Sequence, residues 1–460
     1  MHVMASNGIT EEPPLNRADE AQELLTTLLT HIIPFIRTAD QDALTKHTGH
    51  ALSIPSLLPP SSTNTTSKFN GEERPGRPAL VEQHAPKDLE KLLGLEVPEK
   101  GGGKEGLMGV VEQVLGYSVN TWDQGFLDKL YGGLMRWRGQ IGLVSELLLA
   151  VLNTNAHVYA VSPVLTLIER HTTIHLASLF SLPSPHSGGI SQPGGSASNS
   201  TALVLARNTL YPSTKTSGNG SHRFTLFTSA HGHYSLEKAA QMFGLGSSAV
   251  IPVPVDGEGR MRVEELERQH RHHAAQNARR TNDVQFSACE GLAAVVGCDD
   301  LTGVLSLPQQ QRLGGGRIRP RRTNPQCGRR ADSLKLFLAL RYYGSAHFST
   351  LIANGYANAE YLLGLVTASP HFVAVTKSPV PCLQVCFYYA RDGTLDEDAE
   401  RNSAATESIA GRLVQRGFMV DYAQGENGKF FRVVVNGNTR RGTLEGLVKA
   451  ITEEGAGLEG

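Results

Sequence analysis

Ser191-Gln-Pro-Gly-Gly-Ser-Ala-Ser-Asn199 runs directly into Ser200-Thr-Ala-Leu-Val-Leu-Ala-Arg-Asn-Thr-Leu210, an apolar run of helical character. The adjacent Gly194 and Gly195 allow a tight turn and a close backbone approach to a ligand. Ser196, Ser198 and Asn199 are residue types that favour a helix N-cap. A glycine turn opening a helix presents free N–H groups and the positive end of the helix dipole, which suits a phosphate. The spacing is neither G-x-G-x-x-G nor the Walker pattern, so on these residues alone a plain glycine-rich loop is an equal reading.

Working outward, the β-prone run 224–228 ends in a turn bearing His231 and His233, and a helix is expected to start near Ser235. From 200 to 280 the rhythm is helix, strand, helix, strand, helix, with the second strand over 249–255. Strands alternating with helices indicate βαβ units and a mostly parallel central sheet flanked by helices, an α/β fold. In such sheets ligands collect at the C-terminal ends of strands. A flat imidazole there can stack on a flat ring; for a single histidine, an ordinary loop position is the plainer reading.

The C-terminal portion has a different order. Residues 372–377, 383–390, 418–423 and 429–436 read as strands. A helix over 400–416 is stopped by Gly417, and Leu444, Leu447, Val448 and Ile451 mark a closing helix. This is a small α+β subdomain. At the other end, apolar residues recur at helical spacing over 21–33, and Pro34 is expected to end that helix. Residues 52–86, rich in Ser, Thr, Pro and Gly, read as an exposed loop. The expected domains are 1–104 (helix and linker), 105–345 (large α/β domain) and 346–460 (small α+β domain).

At 460 residues, with 40% hydrophobic and 19% charged residues, the chain can bury a large core. A formal charge of -1 gives no basis for a nucleic-acid or anionic-membrane partner. No apolar run approaches the ~20 residues that span a bilayer. Five cysteines with no metal-site spacing read as reduced thiols in a cytoplasmic protein. His270, His272 and His273 lie in a run of Arg, Gln and His that reads as a solvated face, so no metal site is expected.

Taken together, Asn153-Thr-Asn155, Ser162-Pro163, the 191–199 turn, Phe227-Thr-Ser-Ala-His-Gly-His-Tyr-Ser235 and Val255-Asp-Gly-Glu-Gly-Arg-Met261 resemble, in order, the landmarks of the group II pyridoxal-phosphate decarboxylases, the glutamate and cysteine-sulfinate decarboxylase family. The likeness resumes at Gln326-Cys-Gly-Arg-Arg-Ala-Asp-Ser-Leu-Lys335 and runs through Phe430-Phe-Arg-Val-Val-Val-Asn436. The resemblance implies a fold-type I pyridoxal-phosphate-dependent transferase-like architecture. It implies a carboxy-lyase that takes glutamate, aspartate or cysteine sulfinate to CO2 and an amine. It also implies pyridoxal 5'-phosphate as cofactor and a homodimer.

By the same resemblance Gly194, Gly195 and Ser196 form the phosphate cup and His233 stacks on the ring. Arg432 grips the substrate carboxylate, a bond worth roughly 1.5–3 kcal/mol; a structurally paired strand arginine is the alternative. Asn155 matches a substrate-touching position. Lys129, in Phe126-Leu-Asp-Lys-Leu-Tyr131, can face a second acidic group or simply be solvated. His157 stands where the glutamate enzymes carry an aromatic residue, which counts against glutamate as the substrate.

The family's His-x-Asp strand and its Asn-Pro-His-Lys or Thr-Pro-His-Lys turn are absent, and the interval that should hold them is short. Lys335 is the only lysine between Lys238 and Lys377, and the family does not use that position for its Schiff base. Residues 285–325 therefore read as a deletion or a misjoined exon, and the sheet is expected to be incomplete. A catalytically dead homologue that binds or dimerises is the second reading, and an unrelated α/β binding protein the third.

Overall fold

The computed structural model describes residues 16–55, 66–69, 72–97, 99–127, 139–156, 159–182, 188–256, 260–278 and 328–458. The stretch 285–325 lies outside them, as do Lys129 and His157. The chain forms two compact units, one from Met1–Gly133 with Ser349–Gly460 and the other from Leu134–Phe348. These boundaries differ from the three composition-based segments, because the N-terminal helix folds with the C-terminal portion.

In the Leu134–Phe348 unit the expected βαβ step is present. Strand Leu226–Ser229 pairs in parallel with Val250–Val253, Phe227 opposite Ile251. Helix Ser235–Met242 connects them, and the chain turns back through Gly244 and Gly246, both at positive φ. Leu203, Phe224, Leu226, Ala239 and Ala240 close a small core beneath this pair. Burying Phe224 and Leu226 contributes about 1.5–3 kcal/mol each. Among the described residues no further strand joins the pair, so the parallel sheet is incomplete. A second core forms where helices Gln140–Leu152, Pro163–Leu179 and Ser333–Tyr343 meet, around Leu149, Ala156, Leu165, Ala331 and Leu334.

The other unit is built on a four-stranded antiparallel sheet in the order Phe372–Ala374, Gln384–Tyr389, Gly428–Val434, Asp421–Gly425. Alternate residues Val385, Phe387, Phe431 and Val433 meet Ile409 and Leu413 of helix Ala399–Leu413 and Leu444, Leu447 and Ile451 of helix Arg441–Ala456. This is the α+β arrangement expected from the order of strands and helices in the C-terminal portion.

Two sequence expectations fail here. Helix Arg17–Asp42 continues through Pro34 instead of ending there. A proline removes one backbone donor and crowds the preceding turn, but the far end of this helix is fixed by tertiary contacts. Asp42 Oδ2 lies 2.5 Å from Lys46 Nζ, and Lys46 also reaches Asp123 Oδ1 at 3.0 Å and the Gly417 carbonyl at 2.6 Å. Asp42 and Lys46 are fully buried and Asp123 nearly so. Within 52–86, expected as loop, three described strands pair antiparallel in the order Ser53–Pro55, Glu72–Pro78, Thr66–Phe69. The following Leu80 and Val81 are buried against Val414.

Candidate functional site

Gly194 caps helix Gly195–Leu210 with φ 99 and ψ 166, a conformation open essentially to glycine alone. A Cβ placed there would meet nothing within 4 Å, so the demand for glycine is conformational, not spatial. The Gly194 N–H donates to the Gln192 carbonyl at 2.9 Å, and the first helical bond runs from the Ser198 N–H to the Gly194 carbonyl at 3.1 Å. Among the described residues, the N–H groups of Gly195, Ser196 and Ala197 donate to no acceptor. Three free donors at the positive end of a helix suit a phosphate.

The cap is Gly194 rather than Ser196, Ser198 or Asn199. Ser198 and Ser200 donate their hydroxyls back to the Gly194 and Ser196 carbonyls, each at 3.0 Å. Such back-bonding spends a hydroxyl within its own helix. Asn199 instead donates to Ser235 Oγ at 2.8 Å, which ties the glycine turn to the start of helix Ser235–Met242.

His233 stands two residues before the Ser235 of that tie. His233 Nδ1 accepts from the Ser235 N–H at 3.1 Å, which leaves Nε2 to carry the proton of the neutral ring. Tyr234 stacks on the imidazole at 4.2 Å and 29°, and the residue is otherwise exposed. A ring held by one hydrogen bond and one stacking partner still offers a face to a second flat ring.

Beneath the turn lies a pair that the sequence reading missed. Glu169, 4% exposed, and Arg329, 3% exposed, meet through two hydrogen bonds of 2.5 and 2.8 Å. The signal available in the sequence was an acid next to Leu165 and Ile168 on the apolar side of a helix. Gln192, 1% exposed, has no partner for either side-chain polar atom among the described residues. Asn155 is half-buried, two residues beyond Asn153, which ends helix Gln140–Leu152 in the left-handed conformation that asparagine tolerates. Ser162 and Pro163 take the expected cap and first-turn positions, although the Ser162 hydroxyl makes no capping bond.

Arg432 belongs to the other unit. It forms an ion pair with Asp421, its cross-strand neighbour, and its buried Nε has no partner among the described residues. The guanidinium is therefore committed through Nη2 alone and keeps its buried Nε–H without an acceptor among the described residues.

The free amides at Gly195, Ser196 and Ala197 and the open face of His233 fit the phosphate and flat ring of pyridoxal phosphate. A lysine to anchor that cofactor is not found among the described residues of this unit. Lys335 is held by Glu146 and by Asp332 at 2.8 Å. Lys238 lies over the Tyr234 ring at 4.3 Å, and Lys215 is exposed. Among the described residues no three His, Cys, Asp or Glu side chains converge as a metal ion requires, and no helix is long and apolar enough to cross a membrane.

Residues 86–278 match the pyridoxal-dependent decarboxylase conserved domain. An L-aspartate decarboxylase of Metarhizium robertsii is 37% identical, over 96% of this chain and 98% of its own length. The human cysteine sulfinic acid decarboxylase is 26% identical over 86% of this chain and 95% of its own. In fold, the crystal structure of mouse CSAD superposes with a TM-score of 0.74 at 23% identity, covering 96% of this chain and all of that one. The Oryza sativa TDC structure with PLP gives 0.73 at 15% identity, covering 97% and 99%.

Proposed function

The chain belongs to the pyridoxal-dependent decarboxylases, and from that membership we propose that it removes CO2 from a small acidic amino acid, with aspartate first among aspartate, cysteine sulfinate and glutamate. The 37% identity to an L-aspartate decarboxylase across nearly the whole of both chains carries this reading. Pyridoxal phosphate, when bound, supplies the electron-withdrawing ring that takes up the electrons of the departing carboxylate. The chain's own part is placement. The amides of Gly195 and Ser196 hold the phosphate, His233 packs on the ring, and Asn155 contacts the substrate. Arg432 exchanges part of its pairing with Asp421 for a substrate carboxylate. Lys129 and His157, outside the described residues, complete the proposed substrate contacts.

The test is an amine-release assay on the purified full chain with each of the three acids, alongside cofactor absorbance and mass after borohydride. Amine from aspartate and a cofactor adduct on a lysine are expected. A second reading, a homologue without turnover that binds cofactor and partner, draws support from the engagement of Lys335 and Lys238 described above. Cofactor retention with no adduct and no amine would select it. The alignment to the Metarhizium protein spans 511 residues against a chain of 460, so that relative carries positions this chain lacks. Sequencing the transcript across 285–325 would show whether the short interval is genuine.

A homodimer is part of the same proposal. Helix Gln140–Leu152 leaves Leu143, Val144, Leu147, Leu148 and Val151 exposed. Helix Gly103–Tyr117 of the other unit leaves Leu107, Val110 and Val114 exposed. Apolar faces of this kind are usually covered by a second subunit. Cys382 and Cys386, which form no disulfide among the described residues, agree with a reducing, cytoplasmic location.

A further inference from the structure

We infer that the buried Glu169–Arg329 pair is a positioning device that sets the glycine turn for the cofactor phosphate; the inference rests on the reading of that turn as the phosphate cup. Every polar group of Ser191 is committed to the pair. Its N–H and hydroxyl both donate to Glu169 Oε1, at 2.9 and 2.6 Å, and its carbonyl accepts from Arg329 Nη1 at 3.0 Å. Ser191 stands three residues before Gly194, and little freedom separates them. Pro193 has a ring-locked φ, and the bond from the Gly194 N–H to the Gln192 carbonyl closes the turn. Fixing Ser191 therefore fixes the direction in which Gly195, Ser196 and Ala197 present their amides.

The same guanidinium reaches the Ala156 carbonyl at 3.5 Å, and the Ala156 N–H returns a bond of 3.0 Å to the Arg329 carbonyl. The residue after Asn155 is thus held by the same arginine as the cup. A buried ion pair is a weak source of net stability, because desolvation offsets much of its attraction. Its better-attested use is to fix one arrangement among several, and the commitment of all three Ser191 groups matches that use. Both side chains are too buried to meet a ligand themselves, so theirs is a supporting role.

The experiment uses the full chain as wild type, Glu169→Gln, Arg329→Lys and Leu334→Ala, the last a core variant whose apolar side chain makes no hydrogen bond to the pair. Equilibrium dialysis measures affinity for pyridoxal phosphate and, separately, for pyridoxal, which lacks the phosphate; thermal melting accompanies both. Glu169→Gln and Arg329→Lys are expected to weaken pyridoxal phosphate roughly ten-fold, as lost outer supporting partners do elsewhere, while pyridoxal affinity barely moves. Leu334→Ala is expected to melt earlier yet keep the wild-type ratio of the two affinities. Should Arg329→Lys not fold, Glu169→Gln decides, since it keeps the shape of the acid. A wild-type ratio in Glu169→Gln, or a changed ratio in Leu334→Ala, would overturn the inference. A wild-type chain with no preference for the phosphorylated compound would instead overturn the cup beneath it, and the inference with it.

Discussion

Lys46 is fully buried between two acids, and the balance of charge among the three sets a pH dependence. Burial pushes the Asp123 carboxyl up to about 7, and the neighbouring Asp42 adds to the rise. Burial acts on Asp42 in the same direction, but its bonds to Asp123, the Lys46 charge and the Leu52 N–H together hold it below the usual carboxylate range. With Asp123 protonated, Lys46 and Asp42 cancel; with it ionised, one negative charge is buried without balance. The folded state keeps a proton that the unfolded chain releases above about 4, so this site's contribution falls as pH climbs from about 4 to about 7, then levels. Asp42 works the other way, and its contribution is lost only as pH drops below the ordinary carboxylate range. Asp123→Asn keeps the acceptor for Lys46 but cannot ionise. Melting followed by circular dichroism should show the wild type losing stability between about pH 5 and about pH 7 and the variant staying level. Parallel curves would show that Asp123 titrates normally.

Helix Arg441–Ala456 rests on the segment carrying Lys46 through a glycine. A Cβ on Gly446 would stand 1.7 Å from the Lys46 carbonyl oxygen. Gly446→Ala should therefore destabilise by about 1–3 kcal/mol in urea unfolding. Gly411→Ala, on the exposed face of helix Ala399–Leu413 with nothing within 4 Å, should stabilise by roughly 0.5–1 kcal/mol. Equal effects of the two substitutions would contradict the close approach at Gly446. Elements of this kind differ in how far the sequence betrays them. Strand Gln384–Tyr389 was legible because Val385, Phe387, Tyr388 and Tyr389 are residue types that favour strands, and the glycine turn because Gly194 needs a φ that few residues tolerate. Helix Arg17–Asp42 was cut short at Pro34 because the proline rule is local, while the bond from Lys46 to the Gly417 carbonyl spans 371 positions. The Glu169–Arg329 pair stayed hidden for the same reason, its members being 160 positions apart with no periodic pattern to flag them. Strand Glu72–Pro78 was masked by Pro and Gly, which usually mark loops.

For the molecule as a whole, the exposed face of helix Gln140–Leu152 makes self-association measurable. Sedimentation of the wild type should give a dimer, and Leu147→Glu, which places a charge on a side chain 46% exposed, should shift it toward monomer with its melting temperature nearly unchanged. A monomeric wild type would remove the homodimer from the proposed function. The chain also has an order of assembly written into its contacts. Lys46 needs Gly417, and helix Arg441–Ala456 covers the same segment, so the unit that uses residues 16–127 waits for the last hundred residues to be synthesised. Among the described residues, no bond of the Gly194 turn reaches past Arg329, and nascent chains fold by whole units as these leave the ribosome. The Gly194 turn can therefore take shape while Lys46 still lacks the Gly417 carbonyl, so a chain stopped short of Gly417 would hold a formed turn together with a buried lysine that has one partner missing.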